Sequence, residues 1–296
     1  MNIYSQIQSN KLKTYFIIFL FIGLLSLVFY LAGEYFGDPR SYFMFGLVVA
    51  VISGISSYFF SDKIVLAMSR ARLATKKEFF DYYTVAENLA IASGIPMPKL
   101  YVIDDPVPNA FATGRNPKHA IIAATVGLLQ KLERSEIEGV IAHELSHVRN
   151  YDILVMTIVT VLVGTLAYAT DFMTRSMWWS GSDNRSRAGG IKAVLFLISL
   201  IIVPILASLI QLAVSRRREY LADASGALLT RNPEGLASAL EKIAASAQPM
   251  KHVSTANAHM YISNPFKQGT TARNWLTNLF STHPPIQERI KILRSM

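Results

Sequence analysis

The segment His143-Glu-Leu-Ser-His147 has the pattern H-E-x-x-H and is the most informative stretch of this chain. Its surroundings predict a helix, on which residues four positions apart lie one above the other on the same face. His143 and His147 can therefore bind one metal ion together, while Glu144 lies about 100° further round the helix, beside the ion. This arrangement suits a water molecule activated by zinc, because the ion lowers the pKa of the water and the nearby carboxylate removes its proton.

The start of this helix is predicted at Ser135, because Ser135 followed by Glu138 matches a capping box. Apolar residues then repeat at helical spacing on a face roughly opposite the two histidines. They are Ile137, Ile141, Leu145 and Val148. The histidine pair is therefore expected to face a cleft or solvent.

The composition indicates an integral membrane protein. Of the 296 residues, 51% are hydrophobic and the mean hydropathy is +0.31, above ordinary globular usage. Each of four charge-free runs is long enough to cross a hydrocarbon core of about 30 Å, where a central charge would cost about 2.5–3.5 kcal/mol. These runs are Tyr15–Ala32, Tyr42–Phe60, Ile153–Thr170 and Ala193–Val214. Buried core helices are the alternative, and it applies more to the last two runs than to the first two.

The distribution of basic residues predicts the orientation in the membrane. Lys and Arg residues precede the first run and follow the second and fourth, so they fall on one side if all four spans are real. The connection between the third and fourth runs is also basic, so the asymmetry is incomplete. We expect both termini and the H-E-x-x-H helix to be cytoplasmic. Much of the +9 net charge lies beside the spans, which favours lipid head groups as its partner and no nucleic acid.

The chain is expected to consist of two membrane hairpins and two halves of one catalytic domain. The segments are a transmembrane hairpin (1–60), the first catalytic part (61–152), a second transmembrane hairpin (153–214) and the second catalytic part (215–296). Neither catalytic part alone is large enough to bury a sufficient core for a stable domain, so we expect the two to pack together. Lys99–Ile103 and Ala120–Thr125 are β-like and flank the turn-rich segment Asp104–Lys118.

A catalytic zinc ion needs a third protein ligand and one open position. The second hairpin returns the chain to the membrane face that it left, so His147, six residues before it, and Glu219, five residues after it, are expected to be neighbours. Glu219 is therefore the candidate third ligand, and with no cysteine in the chain the ligands of zinc must be His and carboxylates. Asp223 lies one turn further on, where a carboxylate can fix the tautomer of a ligand histidine. A solvated helix face is the alternative for both carboxylates.

Four segments together resemble the HtpX family of membrane-bound bacterial zinc metalloproteases, which is related to the CAAX prenyl proteases. They are His143–His147, Arg218–Asp223, Pro108–Gly114 and Thr282–Pro285. The resemblance covers nearly the whole chain and implies a mainly α integral membrane protein. It implies four transmembrane helices and a cytoplasmic gluzincin α+β catalytic domain with a small sheet.

The resemblance also implies the site and the activity. His143, His147 and Glu219 would bind one Zn²⁺, with Glu144 as catalytic acid and base. The protein would act at the cytoplasmic side of the bacterial inner membrane on damaged or misfolded membrane proteins under stress. A site-specific CAAX-type processing protease and a non-catalytic zinc-containing membrane scaffold are the alternatives. The sequence carries no signal for an oligomer.

Further candidates concern the substrate. Gluzincins typically bind it as an extra strand on a sheet edge, and Asn109–Gly114 and His119–Thr125 are expected along that cleft, with a structural loop and a core strand as the alternative. Asn109 is thus a possible substrate contact. His283 lies in Thr-His-Pro-Pro and either donates a hydrogen bond to the developing oxyanion or caps a turn.

Overall fold

The computed structural model describes residues 3–179, 216–246, 248–251, 253, 256–265 and 284–296. Within these residues the helices are α1 (Ile3–Phe36), α2 (Pro39–Met68), α3 (Phe80–Ser93), α4 (Val126–Lys131), α5 (Arg134–Arg149), α6 (Asp152–Trp179), α7 (Arg216–Thr230), α8 (Pro233–Ala244) and α9 (Ile286–Leu293). The strands are β1 (Arg72–Leu73), β2 (Lys99–Ile103), β3 (Ala110–Thr113) and β4 (Ile121–Thr125). The fourth predicted run, Ala193–Val214, and His283 lie outside the described residues.

The helices α1 and α2 form a hairpin. Both are long and apolar enough to cross a membrane, α1 over Ser5–Leu31 and α2 over its whole length. The close turn between them requires glycine at position 33, because a Cβ on Gly33 would lie 2.6 Å from Cα of Pro39. Asp38 caps α2, since its carboxylate accepts a backbone N–H of the first turn at 3.1 Å. The first two predicted runs therefore lie in membrane-crossing helices.

The third predicted run lies in α6, which follows α5 after a bend of 84°. The first turns of α6 are fully buried at Ile153, Val155, Ile158, Val159 and Leu162. They pack against α1, α2 and β3, so protein rather than lipid covers this part of the run. Among the described residues the membrane-crossing helices number two, or three if α5 and α6 count as one bent span. The prediction of four spans is confirmed only for the first two.

The sheet is small and mixed, in the order β1-β2-β4-β3. Strands β2 and β4 are parallel, while β1 and β3 pair antiparallel with their neighbours. The prediction for Lys99–Ile103 is confirmed, and the second β-like run begins one residue late, at Ile121. The segment Asp104–Lys118 is not only turns, since it contains the edge strand β3. All four residues of β3 are buried, so it lacks the alternation that marks a half-exposed strand.

The helix α5 lies at the centre of the catalytic part, packed against α3, α7 and α8. The capping box predicted at Ser135 and Glu138 is wrong, because the box lies two residues earlier. The carboxylate of Glu136 accepts the backbone N–H of Glu133 at 2.7 Å. The same carboxylate binds Nζ of Lys242 on α8 at 2.7 Å. A contact with a distant helix therefore helps to decide where α5 begins.

Candidate metal centre

The two histidines of α5 are buried, with His143 1% and His147 4% exposed. Of the two expected surroundings, a cleft or solvent, open solvent is therefore wrong. The opposite face of α5 does belong to the core, as the apolar repeat predicts. However, α7 lies along the histidine face and α9 packs on α7. These two helices come from the last 81 residues of the sequence, far from the motif.

A glycine allows α7 to approach α5 at the histidines. A Cβ on Gly226 would lie 3.1 Å from the backbone nitrogen of His143, which is closer than ordinary van der Waals contact. Glu219 lies seven residues, about two helical turns, before Gly226 on α7. The same helix face therefore carries the small residue that permits contact and the carboxylate that reaches the imidazoles.

Three potential ligand atoms converge in this site. Nε2 of His143 lies 3.2 Å from Nε2 of His147. The Glu219 carboxylate lies 3.4 Å from the nitrogen of His147 and 3.8 Å from that of His143. Ligand atoms about 2.1 Å from a tetrahedral ion lie about 3.4 Å apart, so the three donors fit one ion. Two imidazoles and one carboxylate are also a donor set that zinc accepts in catalytic sites.

Each histidine is oriented by a carboxylate on its other nitrogen. Oδ1 of Asp223 lies 2.9 Å from Nδ1 of His143, and Oδ2 of Asp152 lies 3.0 Å from Nδ1 of His147. A carboxylate in this place holds the proton on Nδ1, so Nε2 is free to bind a metal ion. Asp223 is predicted from the sequence, whereas Asp152 is not. The available signal was an acidic residue at the first position of the next helix, α6.

Arg289 is a second charged group at the site that the sequence does not predict. It is 0% exposed and binds Asp223 through Nε at 2.8 Å and Nη2 at 2.7 Å. Burial alone would raise the pKa of Asp223, but the charge and hydrogen bonds of Arg289 lower it to about 2. The signal in the sequence was an arginine among Ile286, Ile290 and Leu293, on the apolar face of α9.

The side chain of Glu144 extends from α5 to the edge strand β3. It is 3% exposed, and its carboxylate accepts the backbone N–H of Ala112 in β3. Burial raises the pKa of Glu144 to about 7, an increase that the positive charges of His147 and Arg289 oppose. A carboxyl group with this pKa can both accept and donate a proton near neutral pH.

The two imidazoles differ in basicity. Burial lowers the pKa of His143, and its hydrogen bond to the Asp223 carboxylate offsets only part of that effect. Burial also acts on His147, but the hydrogen bond to Asp152 and the nearby Glu219 carboxylate raise its pKa to about 9. A metal ion bound here would therefore displace a proton from His147.

Asn109 precedes the edge strand β3, and its side chain binds the backbone of Ser263 next to this strand. Its Nδ2 donates to the carbonyl of Ser263 at 3.0 Å, and its Oδ1 accepts the N–H of Ser263 at 3.3 Å. The neighbouring Ile262 N–H donates to the carbonyl of Ala110 at 2.9 Å. Strand β3 is a sheet edge, as the substrate-cleft expectation requires. By contrast, β4 is paired on both sides, so Ile121–Thr125 of the segment His119–Thr125 is a core strand.

A buried His-His-Glu cluster in a chain with two membrane-crossing helices is typical of a membrane metalloprotease. The family model described as Peptidase family M48 matches residues 77–296. A protein named Protease HtpX homolog from Tropheryma whipplei (strain Twist) is 46% identical over 293 residues, covering 99% of this chain and 98% of its own. One of that name from Dictyoglomus thermophilum is 47% identical, covering 99% and 94%. The chain belongs to peptidase family M48, which confirms the resemblance to HtpX.

A solved structure agrees with the fold. The crystal structure of S. mikatae Ste24p has a TM-score of 0.50 and 20% identity, covering 98% of this chain and 67% of that chain. At this identity the likeness concerns the fold alone.

Proposed function

We propose that this protein is a zinc-dependent endopeptidase of the bacterial inner membrane that degrades damaged or misfolded membrane proteins under stress. One observation carries the proposal: the ligand atoms of His143, His147 and Glu219 all lie within 4.8 Å of one another. We propose these three side chains as the zinc ligands. Among the described His, Asp and Glu residues the group comprises these three, which leaves a tetrahedral ion one position for water.

Glu144 is the proposed acid and base. A zinc ion bound here would polarise the scissile carbonyl and make water acidic enough to react near neutral pH. Glu144 accepts the proton of the attacking water and then donates it to the leaving amine. The N–H of Ala112 contacts the carboxylate, and in the metal-free protein burial raises the pKa of Glu144 to about 7. Asp223 and Asp152 keep the ligand histidines in the tautomer that presents Nε2.

Replacing Glu144 tests this mechanism. Glu144→Gln keeps the shape of the side chain and all three ligands, so we expect zinc binding to persist and hydrolysis of an unfolded protein to be lost. The matched control is Glu87→Gln, a carboxylate in an ion pair with Lys76 at 46% exposure, which should cleave like wild type. Cleavage by a clean Glu144→Gln preparation would reject the mechanism. Cleavage by wild type that persists in chelator would reject the metal.

The proposed substrate class follows from the way in which the edge strand β3 would bind a substrate, through main-chain hydrogen bonds. Main-chain hydrogen bonds to β3 would read little of a substrate's sequence, which suits degradation better than processing at one site. The relatives named Protease HtpX homolog support the same choice. Product patterns separate the two functions, because degradation gives many fragments from one unfolded substrate and CAAX-type processing gives a single cut.

The proposed topology has four spans, with hairpins in 1–60 and 153–214 and with both termini and the site in the cytoplasm. The chain contains no cysteine, so single cysteines report cleanly. Arg40→Cys, at the start of α2, should react with a membrane-impermeant maleimide added outside spheroplasts. Ser295→Cys, near the C-terminus, should react only after lysis. Labelling of both positions from the same side would contradict this topology.

A further inference from the structure

A buried polar network joins the first membrane-crossing helix to the proposed metal centre. Its middle member is Asp152, which is 2% exposed. One oxygen of Asp152, Oδ2, lies 3.0 Å from Nδ1 of His147. The other oxygen, Oδ1, accepts hydrogen bonds at 2.8 Å from Nδ2 of Asn10 and at 2.8 Å from Nη1 of Arg218. Asn10 and Arg218 therefore hold Oδ1 of this carboxylate, and Oδ2 orients the imidazole of His147.

Asn10 lies on α1, about one and a half turns before the apolar run. It is 3% exposed, and both ends of its amide are used. Besides Asp152, Nδ2 donates to the carbonyl of Asn150 at 2.9 Å, and Oδ1 accepts from Nη1 of Arg218 at 3.3 Å. The amide thus contacts the end of α5, the start of α6 and the start of α7. A buried polar group with all its partners present fixes one arrangement of the elements around it.

The α5–α6 junction is the part of the chain that this amide holds. Tyr151 has a φ of +60°, a left-handed conformation that is uncommon for a residue with a side chain. Nζ of Lys11 on α1 lies 4.8 Å from the centre of the Tyr151 ring. Consecutive residues of α1 therefore contact the bend, and the bend returns the Asp152 carboxylate towards His147.

We propose that Asn10 is a positioning residue for the metal centre, acting through Asp152 on the imidazole of His147. The first membrane-crossing helix then helps to position the metal centre in addition to anchoring the protein. This inference rests on the proposed role of His147 as a zinc ligand. A group bonded directly to a ligand histidine, as Asp152 is, typically contributes 10- to 100-fold to metal affinity. Because Asn10 is one hydrogen bond further out, loss of its amide should weaken zinc binding by up to about 10-fold.

The test compares two substitutions on one helix face in the full-length protein in detergent. Asn10→Leu keeps the branched shape and removes both ends of the amide. The matched control is Thr14→Val, which removes a fully buried hydroxyl one turn further along, where Oγ1 donates to the carbonyl of Asn10. Zinc affinity is measured by competition with a chelating dye, and stability by thermal unfolding of the metal-free protein. We expect weaker zinc binding only for Asn10→Leu, whatever the change in unfolding temperature.

A double substitution and a spectrum separate positioning from general stability. Because Asn10 acts through Asp152, adding Asn10→Leu to Asp152→Asn should weaken zinc binding little beyond Asp152→Asn alone. The visible spectrum of bound Co²⁺ should change in Asn10→Leu and stay as wild type in Thr14→Val. If the leucine variant does not fold, the smaller Asn10→Ser variant takes its place.

Three results would overturn the inference: wild-type zinc affinity in Asn10→Leu, equal loss of affinity in Thr14→Val, or additive effects of positions 10 and 152. Failure of the proposed function has a different signature, because the wild type would then bind no zinc or cleave no protein.

Discussion

Replacing Arg289 with methionine is expected to destabilise the catalytic part by about 3 kcal/mol, since removing one partner of a buried ion pair costs about 3–5 kcal/mol. The guanidinium is 0% exposed and donates two hydrogen bonds to Asp223, at 2.8 and 2.7 Å. Methionine fills much of the same volume, but it leaves the Asp223 carboxylate buried with its main cationic partner gone.

The pKa of Asp223 gives a second route to the magnitude. Burial raises this pKa, yet Arg289 lowers it from 3.8 to about 2. At about 1.4 kcal/mol per pKa unit, the shift corresponds to roughly 2–3 kcal/mol at neutral pH. Because the folded state has the lower pKa, this stability is fully present above a pH of about 4 and is lost as the pH falls towards about 2. The Arg289→Met variant should lack that acid-dependent contribution.

Thermal unfolding of the metal-free protein in detergent measures the effect. A loss of about 3 kcal/mol should lower Tm by roughly 6–12 °C in a protein of this size. The double variant Asp223→Asn/Arg289→Met should unfold at a higher temperature than Arg289→Met, because neither charge is then left buried alone. The reasoning is refuted if Arg289→Met unfolds within about 2 °C of wild type, or if the double variant is no more stable than the single one.

Two further predictions concern the metal. Glu219→Ala should lower the zinc content of the purified protein, because two imidazoles alone hold the ion weakly; metal analysis beside the Glu87→Ala control measures it, and unchanged stoichiometry would disprove the ligand assignment. Zinc binding at pH 8 should release at least one proton, since metal binds only the neutral imidazole and the pKa of His147 is raised to about 9. Calorimetry in two buffers of different ionisation enthalpy measures this release, and a binding enthalpy that is the same in both would contradict it.

The sequence predicts which residues meet better than it predicts what surrounds them. His143 and His147 are paired by helical spacing, and Glu219 is brought near by a hairpin that returns the chain to the same membrane face. The pairing of the histidines follows from helical periodicity. The approach of Glu219 follows from the order of the apolar runs, which is also read from the sequence. The structure brings these residues together, along with Asp223 one turn after Glu219.

The errors concern contacts between distant segments. The histidines are buried because α7 and α9 cover them, and no pattern within α5 reveals a cover supplied by the last 81 residues. Arg289 was missed for the same reason, since its partner Asp223 lies 66 residues away. Strand β3 was taken for turns because four consecutive buried residues show no alternation.

The hydrogen bond from Ile262 to Ala110 also limits aggregation between copies of this protein. A bare sheet edge is a template on which a second copy can add a strand. Copies anchored in one bilayer diffuse in a plane and therefore meet more often. Residues 260–263 lie over one end of β3 and blunt that template. The covered end of β3 is thereby unavailable to a second copy, and the proposed substrate would pair with the rest of the strand.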